Sequence, residues 1–134
     1  MSILDTIIFE DPNKVGGAIK ATIHKSGKLG FSSGAEDFMK IVDNAFFKIG
    51  FNDSTDDGNI YMVPCETEDG AFKISKAGQY YYINLKNVFD KRGIDYKNKS
   101  YIYDIKKEKT DSINYFILTK RKKISEGEKP VKKG

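Results

Sequence analysis

The residues best suited to chemistry in this 134-residue chain are tyrosines set among lysines. Tyr80, Tyr81, Tyr82, Tyr96, Tyr101, Tyr103 and Tyr115 crowd one half, interleaved with Lys76, Lys86, Lys97, Lys99 and Lys106. That mixture suits unpaired nucleic acid: each base stacked on an aromatic ring is worth ~1–3 kcal/mol, and lysines neutralise the phosphates. Tyrosine is also a good strand residue, and alternation turns half of these rings inward. The Lys120-Arg121-Lys122-Lys123 run suits phosphate contact without sequence preference, or a solubilising tail.

Other constellations are weaker. His24 and Cys65 are the sole residues of their types, whereas a tetrahedral zinc site takes about four ligands. Ser26-Gly27-Lys28 lacks the glycine-rich run and the hydroxyl residue of a phosphate loop. Asp53, Asp56 and Asp57 lack the spacing and terminal Glu of an EF-hand. A nucleophilic triad would have only His24 as its base. We therefore expect no enzyme activity, no cofactor and no metal.

Charge divides the chain. Residues 1–70 hold 6 Lys/Arg against 12 Asp/Glu, whereas residues 71–123 hold 14 against 5. The net charge of +4 thus conceals an acidic half at −6 and a basic half at +9, with +1 in residues 124–134. The asymmetry fits a polyanionic partner for the basic half, or two halves that complement each other. The single cysteine permits no internal disulfide, no apolar run approaches the ~20 residues of a membrane span, and the N-terminus lacks a basic leader. A cytoplasmic protein with no membrane association is expected.

The elements that must position these residues recur. Ile23, Lys25, Gly27 and Phe38 align with Ile74, Lys76, Gly78 and Phe89 at a constant offset of 51 residues (74 − 23). Ile19, Ala21 and Ile23 alternate as a half-buried strand, Ser26-Gly27 turns, and Leu29 and Phe31 return. Ser32 or Ser33 caps a helix carrying Ala35, Phe38, Met39 and Val42, and a hairpin follows through Phe47–Phe51 spacing and Ile60-Tyr61-Met62. The second unit repeats the order. Ala77-Gly78 turns, Asn84 or Asn87 caps a short helix, and Gly93-Ile94 ends it. Two strands then flank a polar turn over residues 107–112. The expected fold is α+β and β-rich, two tandem ββαββ repeats packed as an internal pseudo-dimer. Its parts are a lead-in (1–18), an acidic repeat (19–65), a connector (66–70), a basic repeat (71–119) and a basic tail (120–134).

Lys76-Ala77-Gly78-Gln79, the return strand through Ile83, Phe89, Gly93-Ile94 and the strand at Tyr101 and Ile105 resemble the swapped-hairpin domain of AbrB-type regulators. In the first unit, Lys25-Ser26-Gly27-Lys28, Phe31, Phe38 and Ile49 match, and two such units resemble the MraZ arrangement. The family's Ile-Pro before the helix is replaced by Ile83-Asn84. The resemblance implies DNA binding and transcription regulation, with basic residues beside the glycine turn: Lys28 in one unit, the neutral Gln79 in the other. The Whirly and PUR group of single-stranded nucleic-acid binders is a second, weaker resemblance.

The expected partner is nucleic acid, DNA ahead of RNA. Phosphate contacts are expected from Lys28, Lys73, Lys76, Lys97, Lys99, Lys120, Arg121, Lys122 and Lys123, and stacking from the exposed members of Tyr80, Tyr81 and Tyr82. The alternative is an assembly module in which a protein partner, or a second copy, uses the acidic and basic halves as complementary surfaces.

Overall fold

The computed structural model describes residues 3–9 and 18–121. After a 3-10 turn at Ile3–Thr6, the strands are β1 (Lys20–Ile23), β2 (Lys28–Phe31), β3 (Phe46–Gly50), β4 (Ile60–Cys65), β5 (Phe72–Lys73), β6 (Ser75–Ala77), β7 (Tyr80–Asn84), β8 (Tyr101–Thr110) and β9 (Ile113–Lys120). Helix α1 (Ser33–Met39) follows β2 and helix α2 (Lys86–Lys91) follows β7. The described residues are therefore β-rich with two short α-helices.

All nine strands join one antiparallel sheet in the order β5-β3-β4-β9-β8-β1-β2-β7-β6. The first and last members, β5 and β6, are neighbours in sequence separated only by Ile74. Residues 72–77 thus pair with β3 at one end and β7 at the other, and Ile74 donates its N–H to the Ala45 carbonyl at 2.7 Å. One kinked strand serves both edges. The sheet is nearly closed on itself, like a barrel, and little edge is left to recruit another chain.

The strand alternation fills the interior. Ala21, Ile23, Leu29, Phe31, Phe47, Ile60, Met62, Ile74, Ile83, Tyr103, Phe116 and Leu118 are buried on the inner face. Ala35 and Met39 of α1, and Leu85, Phe89 and Tyr96 around α2, complete the same core. Each large apolar side chain buried here contributes about 1.5–3 kcal/mol.

Local chemistry sets the helix ends. Ser32 caps α1, its Oγ accepting from Ala35 N–H at 3.1 Å and donating to the Ala18 carbonyl at 2.6 Å. At α2, Gly93 adopts φ +73° and Ile94 N–H reaches back to the Phe89 carbonyl at 3.0 Å, closing the helix as the Gly-Ile pair predicts. Leu85 stands at the N-cap of α2, and the neighbouring Asn84 side chain accepts from Lys86 N–H at 3.2 Å. Gly27 has φ +88°, and a Cβ there would lie 2.5 Å from that of Lys86, so the first turn needs glycine twice over.

The structure corrects several local expectations: α1 stops at Met39 with Lys40 as its left-handed cap, leaving Val42 outside the helix and exposed, and α2 has Leu85 at its N-cap instead of Asn84 or Asn87. The polar turn expected over residues 107–112 is mostly strand: β8 runs to Thr110 and pairs with β9 through Thr110↔Ile113, leaving Asp111-Ser112 as the turn. Cross-strand pairing overrides the polarity of Lys106 to Lys109, since this ribbon projects beyond β1 and β4 and has no apolar face to bury. The return strand of the second unit is preceded by a divided strand, split where Ile74 bonds β3 and turns the chain toward β7.

Candidate nucleic-acid interface

The outer face of β1, β2 and β7 gathers three of the expected residues. Ile83 is buried, so by alternation Tyr81 goes inward with it while Tyr80 and Tyr82 turn outward. Gly30 of β2 lies opposite Tyr82 of β7 and Thr22 of β1, which brings the three strands into register. Tyr80 and Tyr82 stack, their ring centroids 6.2 Å apart and their planes 24° from parallel. The Lys28 ammonium sits 4.6 Å from the Tyr82 centroid, a cation–π contact between two half-buried side chains.

His24 and Tyr80 share a hydrogen bond between Nε2 and the phenol oxygen, with the two rings edge-on at 5.7 Å. The bond crosses Gly30, where a Cβ would fall on the Tyr80 hydroxyl. Burial, then the charge of Glu36, raises the Tyr80 phenol above its ordinary value, so it stays a neutral hydrogen-bonding group. A small hollow of about 130 Å³ lies beside it, lined by Lys20, Thr22, His24, Gly30 and Ser32 among others. His24, Gly30 and Lys20 were not expected here. The outward parity of Lys20, Thr22 and His24 on β1 was the available signal.

Tyr81 has a different task. Its hydroxyl donates to Asp43 Oδ1 at 2.6 Å, its backbone N–H donates to Glu36 Oε2 at 3.2 Å, and Lys76 lies 5.2 Å from its ring centroid. The Tyr81 hydrogen bond, followed by the charge of Lys76 at 3.7 Å, holds the Asp43 carboxyl below the usual range. Tyr81 is thus a strut between the halves and leaves the stacking set. Lys73 and Lys76 line an open depression of about 530 Å³ with Asp43, Asn44, Tyr81 and Tyr82.

The remaining lysines are dispersed. Lys97 and Lys99 are exposed in the loop after α2. Lys120 reaches toward Tyr101, 5.4 Å from its ring centroid, at one end of the barrel. Arg121 pairs with Asp104 at 2.6 Å, and that bond lowers the Asp104 pKa. Lys122 and Lys123 lie outside the described residues. The charge asymmetry is partly internal: Lys76–Asp43 and Arg92–Asp53 are ion pairs that join the basic half to the acidic one.

Among the described residues no group of three or more His, Cys, Asp or Glu is placed to hold a metal, and no helix is long and apolar enough to cross a membrane. Compared with known proteins, the chain matches no family model, no curated protein and no solved structure. The AbrB/MraZ-like and Whirly/PUR-like resemblances therefore stand on the motif residues alone.

Proposed function

We propose that this chain is a non-enzymatic nucleic-acid-binding protein whose β1-β2-β7 face receives single-stranded DNA. The observation that carries the reading is the stacked Tyr80–Tyr82 pair with Lys28 over it, on a sheet face rather than in the core. Two near-parallel rings extend a stacking column to which bases of any sequence can add, and Lys20 and Lys28 stand on the adjoining strands to meet the backbone. Base contacts then come from tyrosine, and lysine fixes the strand's position.

The reading includes an origin by internal duplication, two ββαββ units forming a pseudo-dimer, and the strand register supports it. Exchanging β1 with residues 72–77, β2 with β7, β3 with β8 and β4 with β9 returns the same strand order. The register survives the exchange. Leu29↔Ile83 and Tyr61↔Ile117 map onto themselves, and Ile60↔Leu118 maps onto Met62↔Phe116. Ala21↔Tyr103 maps onto Phe72↔Phe47. The offset is 51 residues in the first strand (72 − 21), 54 in the second (83 − 29) and 56 in the third (103 − 47) and fourth (118 − 62). Insertions at the second glycine turn and before β8 account for the growth, and at the offset of 54 Phe89 falls on Ala35 (89 − 54) instead of Phe38, so the match at 51 ends at the glycine turn.

The assembly-module alternative is less favoured, because ion pairs between the halves within one molecule use part of the charge it needs. The test is fluorescence anisotropy of labelled single-stranded and duplex oligonucleotides across a salt series. Single strands should bind more tightly, with affinity falling as salt rises by a slope that counts the phosphates neutralised. Absence of binding to either form at low salt would refute the proposal, and salt-dependent self-association without DNA would favour the alternative.

A further inference from the structure

A third cavity lies at one end of the barrel, distinct from the sheet face. It encloses about 210 Å³ between the β3–β4 loop, the loop after α2 and the start of β8. Drug-sized ligands occupy ~300–1,000 Å³, so this space suits something smaller, the size of one heteroaromatic ring and its substituent.

Tyr103 is the informative residue. It lines the cavity, is only 1% exposed, and its hydroxyl has no hydrogen-bond partner among the described residues. A buried hydroxyl left without any partner costs about 1–3 kcal/mol, so this one needs a water or a ligand atom from the cavity to complete it. Burial, with a smaller contribution from Tyr101, pushes its phenol well above the ordinary value and keeps it neutral.

The rest of the lining narrows the ligand. Phe51 and Tyr101 supply aromatic walls. Arg92 is committed, paired with Asp53 and packed 4.0 Å from the Phe51 centroid. Asp57 is committed too, accepting from the Tyr61 hydroxyl at 2.6 Å and from Asn59 N–H at 2.9 Å. Lys120 has no carboxylate partner among the described residues, although Asp56 and Asp57 line the same cavity. Aromatic walls, a buried neutral hydroxyl and one cation that rests on the Tyr101 ring instead of a carboxylate complement a planar polar ring that carries an anionic group.

We infer that this cavity takes the base of a nucleotide, set against Phe51 and Tyr101 with its edge hydrogen-bonded by the Tyr103 hydroxyl, while the sugar and phosphate stay outside it and the phosphate is met by Lys120. The nucleotide is either free in solution or the 5′-terminal residue of a strand. The inference does not rest on the sheet-face reading.

Isothermal titration of the full chain with the four common 5′-mononucleotides, their nucleosides, inorganic phosphate, and oligonucleotides with and without a 5′-phosphate tests it. At least one mononucleotide should bind, and its nucleoside about tenfold more weakly, as for loss of one charged contact. Tyr103→Phe should weaken the mononucleotide about tenfold yet melt at or above the wild-type temperature, because the hydroxyl it loses has no protein partner among the described residues. Lys120→Ala should erase the advantage of nucleotide over nucleoside. A 5′-phosphate that raises oligonucleotide affinity points to a strand end, whereas indifference to it, with mononucleotide binding intact, points to the free ligand. Tyr80→Ala with Tyr82→Ala should leave mononucleotide binding unchanged, which separates this site from the sheet face. The inference is overturned if no mononucleotide binds, if inorganic phosphate binds as well as the nucleotide, if Tyr103→Phe binds like wild type, or if that variant melts several degrees lower.

Discussion

The Tyr80 hydroxyl and His24 Nε2 meet directly over Gly30, a contact between residues 56 apart that only a missing side chain permits. A Cβ at Gly30 would lie 2.6 Å from His24 Nε2 and overlap the tyrosine oxygen. The Gly30 backbone is not in the left-handed region, so alanine fits the strand itself and the displaced atoms are side-chain ends. Gly30→Ala should therefore change the melting temperature by no more than a few degrees while lifting Tyr80 off the sheet. Single-strand affinity should fall by about 1–3 kcal/mol, the worth of one stacked base. Paired thermal melts and anisotropy titrations check both halves.

The outward and inward tyrosines should separate experimentally. Tyr80→Ala and Tyr82→Ala each should cost ~1–3 kcal/mol of single-strand affinity. Tyr81→Phe should leave affinity intact and lower stability slightly, through the one lost hydrogen bond to Asp43. Urea unfolding and binding on the same preparations make the comparison.

How far this division was legible in the sequence depends on parity. Three consecutive tyrosines carry no parity of their own. It is fixed by Ile83, whose burial against Leu29 turns Tyr81 in and Tyr80 and Tyr82 out. The turn glycines, the Ser32 cap and the Gly93-Ile94 helix stop were readable because each rests on local backbone chemistry. The double role of residues 72–77 was not, since it depends on strands that lie 25 residues before (72 − 47) and a few residues after. His24 looked solitary for the same reason, because its partner is supplied by β7. Lysines chosen on composition scattered over several surfaces, as nothing in composition reports which face a charge occupies.

Acid should destabilise the fold through a defined set of carboxylates. Asp43, Asp57, Asp90 and Asp104 all have folded-state pKa values lowered from 3.8, by hydrogen bonds from Tyr81, Tyr61, Tyr96 and Arg121 respectively as the leading cause. A carboxyl depressed in the folded state contributes stability that is complete above its unfolded pKa and is lost as pH falls through the folded one. The melting temperature should be flat from neutrality down to about pH 5 and fall below about pH 4. Asp90→Asn should flatten part of that fall, because the carboxylate held by the buried Tyr96 at 2.7 Å can no longer titrate. Thermal melts from pH 7 to pH 2.5 measure the slope.

The central pair across β2 and β7 should bear much of the stability. Leu29 is fully buried and faces Ile83, itself 1% exposed. Leu29→Ala should cost about 2–5 kcal/mol, measured by urea denaturation, through lost burial and the cavity left behind.

Neither half closes the barrel by itself, since β2 needs β7 and β4 needs β9. Proteolysis within the exposed connector at residues 66–70 should thus yield two fragments that co-elute in native buffer and separate in urea. Fragments that part in native buffer would mean the inter-half pairings are weak.

The most direct measurement is chemical-shift mapping of the backbone amides during titration with a short single-stranded DNA. The account predicts the largest shifts on the β1-β2-β7 face, at Thr22, His24, Lys28, Gly30, Tyr80 and Tyr82. Shifts confined to other surfaces, such as the exposed ribbon carrying Lys106, Lys107 and Lys109, or no shifts at low salt, would contradict it.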